Sequence, residues 1–214
     1  YHVDYAPHTD IIQVWHACGA FKTVGLERLG KPGAPAFDTR VHKCYTAMCV
    51  SSQLAAAHYA EAFGIEEHKI MPLGVPRTDI FFDENYKKKV IPEVLASFPQ
   101  IKGAKEVIMY APTFRGVNAR TASFPMDMID FEGIGAYLKA HQSIMLIKMH
   151  PFVRESLPIP DEFKDVIIDA SSFREINDML FVTDLLITDY SSVIYEFSLF
   201  RKPMLFYAFD RMKY

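Results

Sequence analysis

Apolar runs alternate with amphipathic stretches along nearly the whole chain, with short polar clusters between them. That alternation predicts α/β units built around a buried parallel sheet. In the first part, Ile11–Trp15 and Tyr45–Val50 read as strands. Ser51-Ser52 then caps a helix from Gln53 to Phe63, which Gly64 closes. Lys69–Pro72 reads as a short strand entering the loop Gly74-Val75-Pro76-Arg77-Thr78-Asp79, and Asn85–Phe98 as a helix interrupted at Pro92. Pro99 and Gly103 mark a break, which sets a first lobe over 1–98 and a second over 99–214.

The second lobe repeats the alternation. Strands are predicted at Glu106–Ala111, Ile144–Met149, Asp165–Asp169, Leu185–Ile187 and Met204–Tyr207. Helices are predicted at Phe131–His141, Ser172–Phe181 and Val193–Phe200. Polar residues recur at strand ends: His16, Arg115, His150 and the turn Asp189-Tyr190-Ser191-Ser192. In open α/β sheets, ligands bind at the carboxyl ends of strands, so this recurrence points to a site.

Composition narrows the function. Half of the 214 residues are hydrophobic, which is enough for a core, and the net charge of −3 argues against nucleic-acid binding. No apolar run approaches the roughly 18–20 residues needed to cross a bilayer, and no signal-peptide pattern opens the chain. Cys18, Cys44 and Cys49 form no CxxC pair and read as reduced thiols; the eight histidines lack metal spacing, so no metal and no cofactor are expected. The chain opens on Tyr1-His2-Val3-Asp4-Tyr5 and stops at Lys213-Tyr214 just past an apolar run, so a piece of a longer protein is expected.

Each candidate has two readings. Asp189–Ser192 precedes a helix, whose first N–H groups and partial positive charge suit phosphate; Glu196, one turn on, could take ribose hydroxyls. The same residues also read as an ordinary cap and a solvated glutamate. Lys148 and His150 share one side of a strand and could face anionic oxygens, or be structural. His16 ends a strand and could accept an alcohol proton, or simply bond within its loop; Cys18 as a nucleophile has no partner implied by spacing. Arg115, beside Thr113, offers a guanidinium fork to phosphate. Arg77 could do the same or pair with Asp79. Lys87-Lys88-Lys89 reads as a solvated face or as attraction to an anionic membrane.

Six segments in order resemble the CDP-glycerol:poly(glycerophosphate) glycerophosphotransferase family, the teichoic-acid polymerases and primases. They are Trp15-His16, Gly74–Asp79, Tyr110–Arg115, Lys148–Pro151, Thr188–Ser192 and Lys202–Tyr207. The resemblance implies an α/β, GT-B-like fold: two Rossmann-like lobes with parallel sheets, the first incomplete, and a site between them. It implies transfer of glycerol phosphate or another polyol phosphate from CDP-glycerol or CDP-ribitol to a lipid-linked polymer, releasing CMP, at the cytoplasmic side of the bacterial membrane. His16 matches the family's general base and His150 its second histidine. Thr188, Asp189, Ser191 and Ser192 match the donor cradle, with Thr113, Arg115, Lys148 and Glu196 as further donor contacts. Lys22, Arg77 and Asp79 stand as candidate acceptor or phosphate contacts.

The family's glycine after the WH histidine is Ala17 here, followed by Cys18, and its G-x-P-R-N-D asparagine is Thr78, which leaves the acceptor open. The chain lacks the family's early strands and last helices, so a fragment that binds nucleotide but turns over poorly is expected. Sugar transfer from a UDP-sugar, and a non-catalytic binding lobe, are the alternatives.

Overall fold

The structure, a computed structural model, describes residues 5–31, 34 and 42–213. The outermost residues read above, 1–4 and 214, lie outside them. The chain divides into two compact units, Tyr1–Phe82 and Asp83–Tyr214.

The first unit is a three-stranded parallel sheet in the order β1 (Ile12–Gln13), β2 (Ala47–Cys49), β3 (Ile70–Met71). The strands are shorter than the apolar runs predicted. The helix between β2 and β3, α1, spans Gln53–Phe63 as expected. Ser52 caps it by accepting from the Ala55 N–H at 3.3 Å, and Gly64 ends it in the left-handed conformation that glycine adopts at little cost. Its buried face, Ala55, Ala56, Tyr59, Ala62 and Phe63, packs on Met48, Val50 and Ile70.

In the second unit, five parallel strands run in the order β6-β5-β4-β7-β8: β4 Glu106–Ala111, β5 Ser143–Ile147, β6 Ile167–Asp169, β7 Leu185–Thr188 and β8 Met204–Phe206. The chain moves from β4 outward to β5 and β6, then crosses back to β7 and continues to β8. Between β4 and β7 the winding therefore reverses, and at such a point open α/β sheets bind ligands at the carboxyl ends of their strands. Met109, Leu146, Ile147 and Leu186 are fully buried in the sheet's core, the continuous apolar pattern of a sheet covered on both faces. α3 (Phe131–His141) packs so closely that a Cβ on Gly135 would lie 2.3 Å from the Phe163 ring.

Three expectations change. The seam falls between Phe82 and Asp83, earlier than the boundary read at 98. The reason is α2 (Glu84–Ser97): Asp83 caps it from the Asn85 and Tyr86 N–H groups, and it belongs to the second unit. There the Tyr86 hydroxyl donates to Asp178 at 2.6 Å and Phe98 packs on Phe173. Pro92 does not interrupt α2, which runs through it. The helix expected over Ser172–Phe181 shortens to α4, Ile176–Leu180, because the Glu175 side chain caps at Asn177. The last helix, α5, is Val193–Ser198. No helix among the described residues is long and apolar enough to cross a membrane.

Candidate active site

β5, β4 and β7 are neighbours, and their carboxyl ends carry His150, Thr113–Arg115 and Asp189–Ser192 respectively. The centre of this arrangement is the buried carboxylate of Asp189. Its Oδ1 accepts from the Thr113 N–H (2.8 Å), the Thr113 hydroxyl (2.9 Å) and the Tyr190 N–H (2.6 Å). Its Oδ2 lies 3.0 Å from Arg115 Nη1, an ion pair outside hydrogen-bond geometry. Asp189 thus fastens the end of β7 to the end of β4. Thr188 does the same one residue earlier, its buried hydroxyl donating to the Ala111 carbonyl at 2.6 Å.

Arg115 is committed elsewhere than expected. Its Nε and Nη2 grip both oxygens of Asp210 at 2.6 and 2.9 Å, and Nη1 donates to the Thr113 carbonyl at 2.7 Å. The fork predicted for a phosphate is filled by a carboxylate, whose geometry it matches equally well. The rings of Phe209, Tyr190 and Phe124 surround the guanidinium at 5.2, 5.4 and 5.8 Å. Burial alone would weaken its charge, but Asp210 and Asp189 outweigh that and hold it more firmly protonated. In return, hydrogen bonding from Arg115, opposed by desolvation, holds the Asp210 carboxyl below the ordinary carboxylate range. The Tyr190 hydroxyl adds a third bond to Asp210 at 3.1 Å. Burial, then the Asp189 carboxylate, pushes the Tyr110 phenol upward.

Lys148 also turns from anion contact to scaffold. It is only 6% exposed, and its ammonium donates to the Ser171 carbonyl at 2.9 Å. Burial lowers its pKa against the pull of Asp169 and Glu175. Glu196, on α5, is 4% exposed rather than solvated. His150, Ser191 and Ser192 are half-exposed at these strand ends, as are Arg115 and Tyr190. His150 packs between Phe114 and Phe152, each 4.7 Å away between ring centroids. Its Nδ1 accepts from the Phe152 N–H at 3.2 Å, which assigns the proton of the neutral ring to Nε2 and makes that nitrogen a donor. Ser191 Oγ accepts from the Val193 N–H at 3.3 Å, while Ser192, the residue before α5, makes no capping bond.

In the first unit, His16 is exposed on the loop after β1. Trp15 before it takes φ of +44°, a left-handed value unusual for so bulky a residue. Three contacts sustain that strain: the Trp15 N–H donates to Gln13 Oε1 at 2.9 Å, and its ring meets Phe63 and Tyr59 edge-on at 5.1 and 6.0 Å. The indole turns into the core and His16 outward, stacked obliquely on it at 4.3 Å. Lys22 lies further along the same loop, and Arg77 and Asp79 lie exposed in the 3₁₀ turn Pro76–Phe82.

Asp210 and Ser171 were missed by the sequence reading, and Tyr190, named within its turn, was given no role of its own. All three lie just past strand ends, so the rule that singled out His150 and Asp189 applied to them as well. Among the described residues, no group of three or more His, Cys, Asp or Glu side chains could hold a metal ion.

The chain matches the model of the CDP-glycerol:poly(glycerophosphate) glycerophosphotransferase family over residues 2–214. It is 53% identical to the teichoic acid ribitol-phosphate polymerase TarK of Staphylococcus aureus, over all of this chain and 42% of that protein. It is 36% identical to the teichoic acid glycerol-phosphate primase of Bacillus subtilis, over 96% of this chain and 52% of that one. Among solved structures, the wall teichoic acid polymerase TagF superposes with a TM-score of 0.79 at 22% identity, covering 99% of this chain and 52% of that chain. The chain thus spans about half the length, or less, of these relatives. The likeness to TagF carries the α/β, GT-B-like fold class expected from the sequence.

Proposed function

This chain belongs to the CDP-glycerol:poly(glycerophosphate) glycerophosphotransferase family, and we propose that it is the transferase part of an enzyme that moves a polyol phosphate from a CDP-activated donor to a hydroxyl of a teichoic-acid chain. The observation that carries this reading is the set of polar residues at three adjacent strand ends. Half-exposed His150, Ser191 and Ser192 stand there beside buried Asp189 and Thr113 and the half-buried Arg115 that pairs with them. A rigid support under a few polar groups suits phosphoryl transfer, where positioning and charge stabilisation do most of the work. The family favours this over the UDP-sugar and non-catalytic alternatives.

In this reading the acceptor hydroxyl attacks the β-phosphorus of the donor and CMP leaves. His150 donates its Nε2 proton in a hydrogen bond to a phosphoryl oxygen, and Ser191 and Ser192 add hydroxyl donors. Arg115, Thr113, Asp189, Thr188, Lys148 and Glu196 act beneath them: they hold the loops rather than the phosphates. His16 takes the acceptor proton. The donor is CDP-ribitol rather than CDP-glycerol, since identity is 53% to a ribitol-phosphate polymerase against 36% to a glycerol-phosphate primase. The acceptor is a lipid-linked polymer, met by the protein at the cytoplasmic surface of the membrane.

CMP release by the full-length protein, compared between CDP-ribitol and CDP-glycerol, tests the reading. Faster release from CDP-ribitol is expected; no release from either donor, with acceptor present, would sink it. General-base help is worth roughly 10²–10⁴-fold, so His16→Ala should lower kcat at least about a hundredfold. Near-normal turnover in that variant removes His16 from the role.

A further inference from the structure

A cavity of about 240 Å³ in the first unit is lined in part by residues 20–24, which continue the loop that carries His16. Lys22, Thr23 and Glu27 form one wall, and His58, Tyr59 and Ala62 of α1 the other. Tyr59 joins the cavity to the catalytic loop: it packs edge-on against Trp15, and its hydroxyl donates to the Gly19 carbonyl at 3.2 Å. Whatever fills the cavity therefore rests on the residues that fix the His16 loop.

We propose that this cavity seats the acceptor chain, holding the polyol phosphate unit behind the attacking hydroxyl. The inference rests on the transferase reading above. The lining has the two kinds of group such a unit needs. A phosphodiester carries one negative charge, and the Lys22 ammonium and the His58 imidazole are the donors that answer it. The hydroxyls of a polyol both donate and accept, and the Glu27 carboxylate and the Thr23 hydroxyl suit them. The size also discriminates. The space falls below the roughly 300–1,000 Å³ of pockets that enclose drug-sized ligands, which fits one small unit better than a nucleotide. The donor's own head carries the same chemistry, so the test must separate the two.

Lys22→Ala and His58→Ala, both at exposed positions, are made in the full-length protein, with circular dichroism as the check on folding. Kinetics are run with a short soluble poly(ribitol phosphate) oligomer as acceptor and CDP-ribitol as donor. A lost hydrogen bond to a charged group predicts a rise of roughly tenfold or more in the acceptor KM for each variant, with the donor KM and kcat unchanged. An acceptor KM within about twofold of wild type in both variants overturns the proposal. So does a rise confined to the donor KM, which would make the cavity a donor subsite. A wild-type protein that releases no CMP removes the transferase reading itself, and this inference with it.

Discussion

Replacing Asp210 by asparagine keeps the side chain's size and removes the charge that grips Arg115. The wild-type pair makes two hydrogen bonds, at 2.6 and 2.9 Å, between side chains that keep 17% and 19% of their accessible surface. That exposure lies between a surface pair, worth roughly 0.2–1 kcal/mol, and a buried one, whose disruption costs roughly 3–5 kcal/mol. Arg115 retains Asp189 and the Thr113 carbonyl in the variant, so its charge is not orphaned. The expected cost is about 2 kcal/mol, within the usual range for hydrogen bonds to charged groups. Because Asp210 is held below the ordinary carboxylate range, its contribution is complete above the unfolded value of about 3.9 and fades as pH falls through the lower folded value. The gap between wild type and Asp210→Asn should therefore stay constant from about pH 7 to 5 and close below about 4. Urea unfolding followed by far-UV circular dichroism measures it as a midpoint shift at unchanged slope. Fluorescence is unsuited, because the single tryptophan, Trp15, reports the first unit. A loss under about 0.5 kcal/mol at pH 7, or a gap that persists in acid, would refute the assigned role of the clasp.

Tyr86→Phe removes the hydroxyl that binds Asp178 and should cost about 1 kcal/mol by the same denaturation assay. The Tyr86 phenol is pushed up to about 12, first by that hydrogen bond, so its contribution is full below about pH 10 and vanishes as pH rises through 12. Gly135→Ala drives a methyl into the Phe163 ring and should lower the unfolding midpoint by the equivalent of about 1–3 kcal/mol; a neutral effect would mean that α3 can shift outward. Pro92→Ala restores a donor inside α2 and should raise stability by about 2 kcal/mol, the helix penalty of proline less its effect on the unfolded chain.

Much of the scaffold was legible in the residues themselves. α1 and α3 begin and end where the sequence places them: Ser52 starts one and Gly64 closes it, and periodic apolar positions mark the other. β4 matches as well, because its apolar run meets polar residues at both ends. The seam was misplaced because Pro99 and Gly103 break the chain more loudly than Asp83, although a short turn inside a unit needs breakers as much as a boundary does. The depth of several candidate residues was not legible in the sequence. Lys148 and Glu196 are types that favour the surface, and only tertiary packing shows that they are buried. Asp210 was open to the strand-end rule, but its pairing was not legible, since its partner is 95 residues away in sequence.

That separation bears on the order in which the ends of β4 and β7 become rigid. A bond between residues so far apart must wait for the closure of a long loop, and β8 must be docked before Asp210 can reach back. Until then Arg115 lacks its bidentate partner, and the turn that Asp189 anchors lacks part of its bracing. During synthesis β4, β5 and β7 emerge before the clasp that stiffens their ends, because Asp210 follows all three in the chain. A chain held short of residue 210 would own every half-exposed polar group at these strand ends without the means to keep them still.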